Sequence, residues 1–302
     1  MAYWTSVGRL LLVTVLWSTV GLCVRLIEGA NPFQINALRC LTMALVIGLW
    51  LVLRRGRQAL PALTFEVWRP YLLLALFFGF GTTAMIFGVA HTSIANAASL
   101  GATSPVFAAI LAPWWLGERT PASAWLAAAA ALVGVGLVAG VGAAGTGSPN
   151  LGDLAALANA ACFACEMMAL RRYQDRDMVP GFVLAGLLTA LLCGVLGGGI
   201  LVPLRDAGVI LLMGLAHLAL PVLLLTRGAR DVPAVQITLI ALLDIVLSPL
   251  WVWLFLGEVP SLHTALGGSL IITAVVTATL AAAHRSARGR LIRIKAPPTA
   301  PR

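Results

Sequence analysis

The sequence predicts an all-α integral membrane protein of ten transmembrane helices, arranged as two inverted five-helix repeats with both the N and C termini in the cytoplasm. Three observations lead to this prediction: the composition, ten long apolar segments, and a motif that recurs half a chain apart. The chain has 302 residues, of which 60% are hydrophobic and only 10% are charged, and its mean hydropathy is +0.97. Soluble domains carry roughly 25% charged residues, so the composition argues against a water-soluble enzyme, a nucleic-acid binder and a disordered protein.

Ten predominantly apolar segments approach the length that a helix needs to cross a bilayer, about 20 residues. They comprise residues 10–27, 33–53, 70–90, 95–116, 121–142, 152–170, 180–202, 207–226, 233–256 and 262–283. The first contains Arg25, lacks a small-x-small cleavage site, and is longer than the apolar core of a secretion signal. We therefore interpret it as a true transmembrane helix.

The basic residues predict the orientation. With a cytoplasmic N-terminus, 17 of the 20 Lys and Arg residues fall on the cytoplasmic side. Only Arg25 and Arg205 fall outside, and Arg39 lies within a helix. Cytoplasmic loops of membrane proteins carry an excess of basic residues, so the net charge of +9 reflects topology and not nucleic-acid binding. Residues 284–302 are predicted to form a basic, disordered cytoplasmic tail.

A short motif recurs at the ends of the fourth and ninth segments. Trp115-Leu116-Gly117-Glu118 is matched by Phe255-Leu256-Gly257-Glu258, 140 residues later. With five segments in each half, the two halves have opposite orientations, an arrangement found in many secondary transporters. We therefore divide the chain into a first repeat (1–142), a linker (143–151), a second repeat (152–283) and the tail (284–302).

The segments around these motifs resemble a known family. Residues 91–105 (HTSIANAASLGATSP) and 116–121 (LGERTP) are similar to the EamA repeat of the drug/metabolite transporter superfamily, and residues 231–258 resemble its second copy. Gly152–Leu157 and the pair Arg171-Arg172 resemble the start and end of the family's sixth helix. The resemblance implies a bacterial inner-membrane exporter of amino acids, including aromatic ones, or of other metabolites.

The ninth segment departs from the family pattern. The family proline of the second copy would fall at Ile245, whereas this chain has Ser248-Pro249 one turn later. Proline removes a helix hydrogen bond and bends a membrane helix. We therefore expect Pro249 to mark a displaced bend in helix nine and Pro105 to mark a bend in helix four, both as candidate gating positions.

Asp244 is the most informative single residue because it lies close to the middle of helix nine. An ionisable group at that depth costs about 2.5–3.5 kcal/mol on insertion scales and is by default a functional hypothesis. Asp244 is a candidate for binding a substrate amine or carrying a coupled proton. The alternative is a protonated carboxyl group bonded to Ser248 or to a neighbouring helix.

Other polar residues within the apolar segments are candidates for contact with substrate. In helix four, Asn96, Ser99 and Thr103 share one face, although Ser and Thr also bond back to their own helix. Trp17 is a candidate for stacking on a substrate ring, with packing as the alternative. Two isolated polar residues at mid-depth, Asn159 and His217, are candidates of the same kind, and each is as well suited to bonding a neighbouring helix.

Two charged residues are expected to play structural roles. Arg39 is placed to extend toward the outer lipid headgroups. Glu166 lies near the cytoplasmic end of helix six, and we expect it to pair with the basic loop at Arg171 and Arg172.

The predicted function is export of small amphipathic metabolites, with amino acids preferred (hydrophobic or aromatic, including threonine and methionine), by alternating access between the halves. Export of lipophilic drugs or other metabolites is the alternative, followed by a lipid flippase or a channel. The four His residues are scattered, so no catalytic or metal site is predicted, and no cofactor. The expected partners are a small-molecule substrate and the lipid bilayer, with the protein acting as a monomer.

Overall fold

The protein is all-helical across the described part of its computed structural model. The structure describes residues 2–56, 65–92, 94–139, 151–256 and 262–295. The helices in chain order are α1 (Ala2–Ser18), α2 (Val20–Arg25), α3 (Pro32–Arg55), α4 (Phe65–His91), α5 (Ile94–Gly101), α6 (Ser104–Trp115), α7 (Ala122–Ala139), α8 (Leu151–Arg172), α9 (Val179–Leu196), α10 (Leu204–Met213), a π-helical turn (Gly214–Ala219), α11 (Leu220–Gly228), α12 (Ala234–Ala241), α13 (Leu243–Leu256) and α14 (Leu262–Lys295).

Eight helical segments in the described residues are long and apolar enough to cross a membrane, which makes this a multi-pass membrane protein. The fourth predicted segment is divided into α5 and α6, and the fifth forms a shorter apolar helix over Ala122–Val138. A count of ten spans therefore stays a prediction. The expectation of a disordered tail from residue 284 was wrong for its first part, because α14 continues to Lys295. Alanine and arginine in this stretch are strong helix formers.

Glycine permits backbone-to-backbone packing between two pairs of helices. A β-carbon on Gly152 of α8 would lie 2.7 Å from the carbonyl carbon of His91 in α4. A β-carbon on Gly134 of α7 would lie 2.8 Å from the carbonyl oxygen of Gly267 in α14. Small residues at such contacts let membrane helices approach closely and gain packing energy. These contacts fix α8 against α4 and α14 against α7.

The outer surface is apolar, as a lipid environment requires. Large side chains on several helices are mostly exposed, including Leu53 (77%), Leu126 (72%) and Leu204 (91%). Polar side chains at the helix ends instead connect neighbouring segments. At one membrane face Arg171 forms a salt bridge with Glu118 (3.1 Å). At the opposite face the Asp206 carboxylate accepts a hydrogen bond from the Gly29 amide (2.8 Å).

Candidate functional site

The first transmembrane helix is interrupted between α1 and α2. Thr19 separates the two helices, and its hydroxyl donates a hydrogen bond to the carbonyl oxygen of Leu16 (2.8 Å). The carbonyl oxygen of Ser18 accepts a hydrogen bond from the Ser248 hydroxyl of α13 (3.1 Å). An interruption frees backbone groups that must find other partners inside a membrane. Here, the Ser248 hydroxyl of α13 is the partner of the Ser18 carbonyl group.

A π-helical turn lies against this interruption and carries His217. The side chain of His217 is buried, with 2% exposed. Its backbone carbonyl oxygen accepts a hydrogen bond from the indole Nε1–H of Trp17 (2.9 Å), and its Nε2 lies 2.8 Å from the Thr19 hydroxyl oxygen. Single π-helical turns are often found at functional sites. The sequence predictions for Trp17 and His217 therefore fall on two residues that contact each other.

The geometry around Thr19 favours one tautomer of His217. With the Thr19 hydroxyl proton donated to Leu16, the hydroxyl oxygen accepts from Nε2–H of His217. A neutral imidazole that donates through Nε2 has an acceptor lone pair at Nδ1. Nδ1 is buried and has no hydrogen-bond partner. The described structure thus contains a buried, unused acceptor at this position.

Arg39 of α3 lies beside the same π-helical turn. Its side chain is 2% exposed, and its Nε and Nη1 atoms are buried without a hydrogen-bond partner. A β-carbon on Gly214 would lie 2.8 Å from the Arg39 carbonyl oxygen, and the Arg39 guanidinium is within electrostatic range of His217. The expectation that Arg39 extends toward the outer headgroups was wrong, because close packing of α3 on the π-helical turn encloses it.

The ninth predicted helix is interrupted at Leu242, two residues before Asp244. The Leu242 amide bonds to the carbonyl oxygen of Leu239, and the Ile245 amide bonds to that of Leu242. Asp244 is half-buried and shares a helix face with Ser248 and Trp251, both of which bond to Ser18. The Ser248 hydroxyl donates to the Ser18 carbonyl oxygen, which leaves its oxygen as an acceptor, and the alternative of a protonated Asp244 bonded to Ser248 or to a neighbouring helix stays a prediction.

Asn159 and Phe163 belong to the side of α8 that approaches Trp17. The rings of Phe163 and Trp17 meet edge-to-face with centroids 5.7 Å apart. Asn159 lies one turn before Phe163, and its Oδ1 would be 3.7 Å from a β-carbon on Gly81 of α4. Asn159 therefore shares a face of α8 with Phe163, which contacts Trp17, while its own amide oxygen lies close to α4.

The polar residues of helix four lie at a second interruption. α5 ends at Gly101 and α6 begins at Ser104, directly before Pro105. Thr103 donates its hydroxyl to the carbonyl oxygen of Leu100 (2.6 Å), and Ser99 is half-buried. The side chain of Asn96 lies outside the described residues. α5 and α6 pack on α8, which is the helix that carries Asn159 and Phe163.

The bend expected at Pro249 stays a prediction, and the structure adds an interruption of helix nine that the sequence did not predict. α13 continues from Leu243 to Leu256 through this residue, and the interruption of helix nine comes seven residues earlier, at Leu242. The side chain of Pro249 lies outside the described residues. Proline has no amide hydrogen and therefore loses one helix hydrogen bond. The helix is divided at Leu242, where backbone amides bond to the carbonyl group three residues earlier and not four.

Glu166 and Arg171 do not form the pair expected from the sequence. Arg171 instead binds Glu118, the last residue of the first Leu-Gly-Glu motif. Glu166 is buried in α8 with 8% of the residue exposed. Among the described residues, no group of three His, Cys, Asp or Glu side chains lies together as a metal site would require.

Sequence reasoning misses two residues of this region and misplaces a third. Thr19 and Phe163 carry no specific signal, because each is an isolated Thr or Phe in an apolar segment. Arg39 is predicted to be structural, although an arginine within a transmembrane segment already indicates function.

Comparison with known proteins gives the chain a family. The model of the EamA-like transporter family matches residues 5–140 and 150–280. The pseudopaline exporter CntI of Pseudomonas aeruginosa is 27% identical over 225 residues, 73% of this chain and 75% of that protein. The uncharacterized transporter YdfC of Bacillus subtilis is 26% identical over 259 residues, 82% of both chains.

A solved crystal structure supports the fold. Its chain is 24% identical to this one and superposes with a TM-score of 0.74. The match covers 92% of this chain and 98% of that chain.

Proposed function

The chain belongs to the EamA-like transporter family, and we propose that it exports small amphipathic metabolites, with amino acids as the preferred class, across the bacterial inner membrane. The proposal includes hydrophobic and aromatic amino acids as well as threonine and methionine. A relative named for export of pseudopaline supports metabolite export in general. Family membership indicates a transport role and not an enzymatic one.

One observation carries the amino-acid proposal: a buried cation and a buried acceptor, both unused, lie on adjacent helices. The Arg39 guanidinium has two nitrogens without partners, and Nδ1 of His217 has none. A buried charge without a partner is strongly unfavourable. A carboxylate would neutralise Arg39 through charge-assisted hydrogen bonds, and the ammonium group of the same molecule can donate to Nδ1. An α-amino acid carries both groups on one carbon.

The surrounding residues suit an apolar side chain. Trp17 and Phe163 form an aromatic wall, and the Trp17 indole is held in place by its bond to His217. Asn159, Ser99, Thr103 and Asn96 are proposed to line the adjoining path. Asp244 is proposed to bind the substrate amine in a second position or to carry a coupled proton.

Alternating access is proposed to use the helix interruptions. The interruption at Thr19 is hydrogen-bonded to the π-helical turn through Trp17 and His217, and through Ser18 and Ser248 to α13, the helix that follows the interruption at Leu242. Many transporters form their substrate sites from discontinuous helices where two inverted repeats meet. We propose the same for residues 1–142 and 152–283, with linker 143–151, cytoplasmic termini, tail 284–302 and a functional monomer. Pro105 and Pro249 remain proposed gating positions.

Counterflow in proteoliposomes tests this function. Vesicles containing purified protein and an excess of unlabelled amino acid are diluted into labelled threonine, methionine or phenylalanine. Transient accumulation of label, blocked by competing amino acids, supports the proposal and ranks the substrates. Absence of exchange with all three, in protein whose fold is verified by circular dichroism and gel filtration, contradicts the amino-acid proposal. It would favour the alternative of lipophilic drugs or other metabolites.

A further inference from the structure

We infer that a basic pocket at one membrane face, separate from the transport site, binds a phosphate group. The pocket has a volume of about 230 Å³, and four arginines from three parts of the chain line it. They are Arg55 at the end of α3, Arg176 between α8 and α9, and Arg227 and Arg230 at the end of α11. Asp177 is the single acidic residue among the lining side chains.

The pocket lies at the edge of the apolar layer. Three candidate membrane spans end beside it, at Arg55, Arg172 and Gly228, and a fourth begins there at Val179. Lipid phosphates occupy the polar region directly outside the hydrocarbon layer. A phosphate bound here would therefore be at the same level as the headgroups of the surrounding bilayer.

The acidic lining residue is already engaged. One carboxylate oxygen of Asp177 accepts a hydrogen bond from the Val179 amide (3.2 Å). The other forms a salt bridge with Arg55 (2.5 Å). The negative charge of Asp177 is thus balanced by Arg55, and the guanidinium groups of Arg227 and Arg230 give the pocket an excess of positive charge.

Contacts behind the pocket hold two of its walls in place. The guanidinium of Arg171 donates to Oε1 of Gln174 (2.9 Å) and to the carbonyl oxygen of Arg230. It is itself fixed by Glu118. Gln174 itself lines the pocket. The site is therefore built before a ligand arrives.

The chemistry of the lining favours phosphate. A guanidinium group presents paired N–H donors that match two oxygens of a phosphate. Trp50 and Leu223 add apolar surface to the same cavity, which suits the glycerol portion of a headgroup. Basic residues at helix ends ordinarily orient a membrane protein, and that role does not require basic side chains from different segments to meet at one place. Here side chains from α3, α11 and the loop after α8 meet around one cavity. The phosphate can come from an anionic lipid or from solution.

Native mass spectrometry of the full-length protein in detergent tests the inference. The protein is titrated separately with phosphatidylglycerol, phosphatidylcholine and inorganic phosphate. The pocket variant is Arg227→Gln/Arg230→Gln. The control is Arg119→Gln/Arg172→Gln, which removes the same charge from two exposed arginines outside the pocket. Loss of a charge-assisted hydrogen bond weakens binding about tenfold or more.

We expect the pocket variant to bind phosphatidylglycerol or inorganic phosphate at least about tenfold more weakly than the wild type, with the control little changed. Weakening of both phosphate probes identifies a general phosphate site, and weakening of phosphatidylglycerol alone identifies a lipid headgroup site. Equal weakening in the control, equal affinity for phosphatidylcholine, or no binding of either anionic probe overturns the inference. If the double variant does not fold, Arg227→Gln against Arg119→Gln gives the same comparison. Neither outcome depends on which solute is transported.

Discussion

The indole nitrogen of Trp17 donates a hydrogen bond to the carbonyl oxygen of His217 across 2.9 Å, and this bond joins two residues that are 200 positions apart in the chain. Trp17 belongs to the last turn of α1, and His217 belongs to the π-helical turn. The bond therefore connects two helices at the point where each departs from regular α-helical geometry. If the two helices move relative to each other, this hydrogen bond must either be kept by a matching movement of both residues or break.

Replacement of Trp17 tests how much this bond contributes. Trp17→Phe removes the N–H donor and keeps an aromatic ring against Phe163. We expect the free energy of unfolding in detergent to fall by about 1 kcal/mol, a usual value for one hydrogen bond. Trp125→Phe on the half-exposed face of α7 is the control and should have little effect. Equal stability of the two variants would contradict a structural role for the bond.

Two glycines of α7 provide a matched test of helix packing. A β-carbon on Gly134 would meet the backbone and side chain of α14 at 2.8 Å, whereas one on Gly136 would meet nothing within 4 Å. Gly134→Ala should therefore lower the free energy of unfolding of the purified protein by about 1–3 kcal/mol through overpacking. Gly136→Ala should leave stability unchanged or slightly raised, because alanine favours helix. The opposite order would show that α7 and α14 do not pack as described.

A double-mutant cycle on Arg171 and Glu118 measures their ion pair. Its side chains are partly buried, at 19% and 39% exposure. The pair Arg205–Glu28 is mostly exposed, at 73% and 70%. We expect a coupling energy of about 0.5–1 kcal/mol for Arg171→Gln with Glu118→Gln, measured by denaturant unfolding, and close to zero for the exposed pair. Equal couplings would show that the partial burial has no energetic effect.

Asp244→Asn tests the proposed role of this carboxyl group in coupling. The variant keeps the size of the side chain and removes its ability to exchange a proton. If Asp244 carries the coupled proton, an imposed pH gradient should drive accumulation by the wild type and not by the variant. Asp175→Asn, in the loop after α8, should retain the response. A gradient response that survives in Asp244→Asn would assign the proton elsewhere, and absence of a response in the wild type would indicate facilitated diffusion.

The sequence was sufficient to predict the helical membrane architecture and the family, because apolar segments and the Leu-Gly-Glu motif are local properties. It was not sufficient to locate the helix interruptions. The break at Thr19 has no proline beside it, and the break at Leu242 lies seven residues before Pro249. The π-helical turn ends two residues before Pro221, whose missing amide hydrogen leaves the His217 carbonyl group without a helix partner. Their backbone groups are bonded to other helices, as Ser18 is to Ser248, and such long-range partners leave no pattern in the local sequence.

The same reasoning explains which site residues could be found. Trp17, His217 and Asp244 stand out as polar or aromatic residues in apolar segments, and the structure brings the first two into direct contact. The pairing of Arg171 with Glu118 and the enclosure of Arg39 depend on which helices pack together. Arg39 was assigned to the headgroup region from its depth alone, whereas packing on Gly214 keeps it inside the protein.

The most direct test of the central claim compares two solutes that differ by one carboxylate. Phenylalanine and phenethylamine are used as competitors of labelled phenylalanine counterflow, with wild type, Arg39→Gln and the control Arg205→Gln. If Arg39 binds the substrate carboxylate, wild type and control should favour phenylalanine at least about tenfold, since one desolvated charge pair contributes that much or more. Arg39→Gln should lose most phenylalanine transport and the preference with it. Folded Arg39→Gln protein that transports phenylalanine like the wild type would contradict the account.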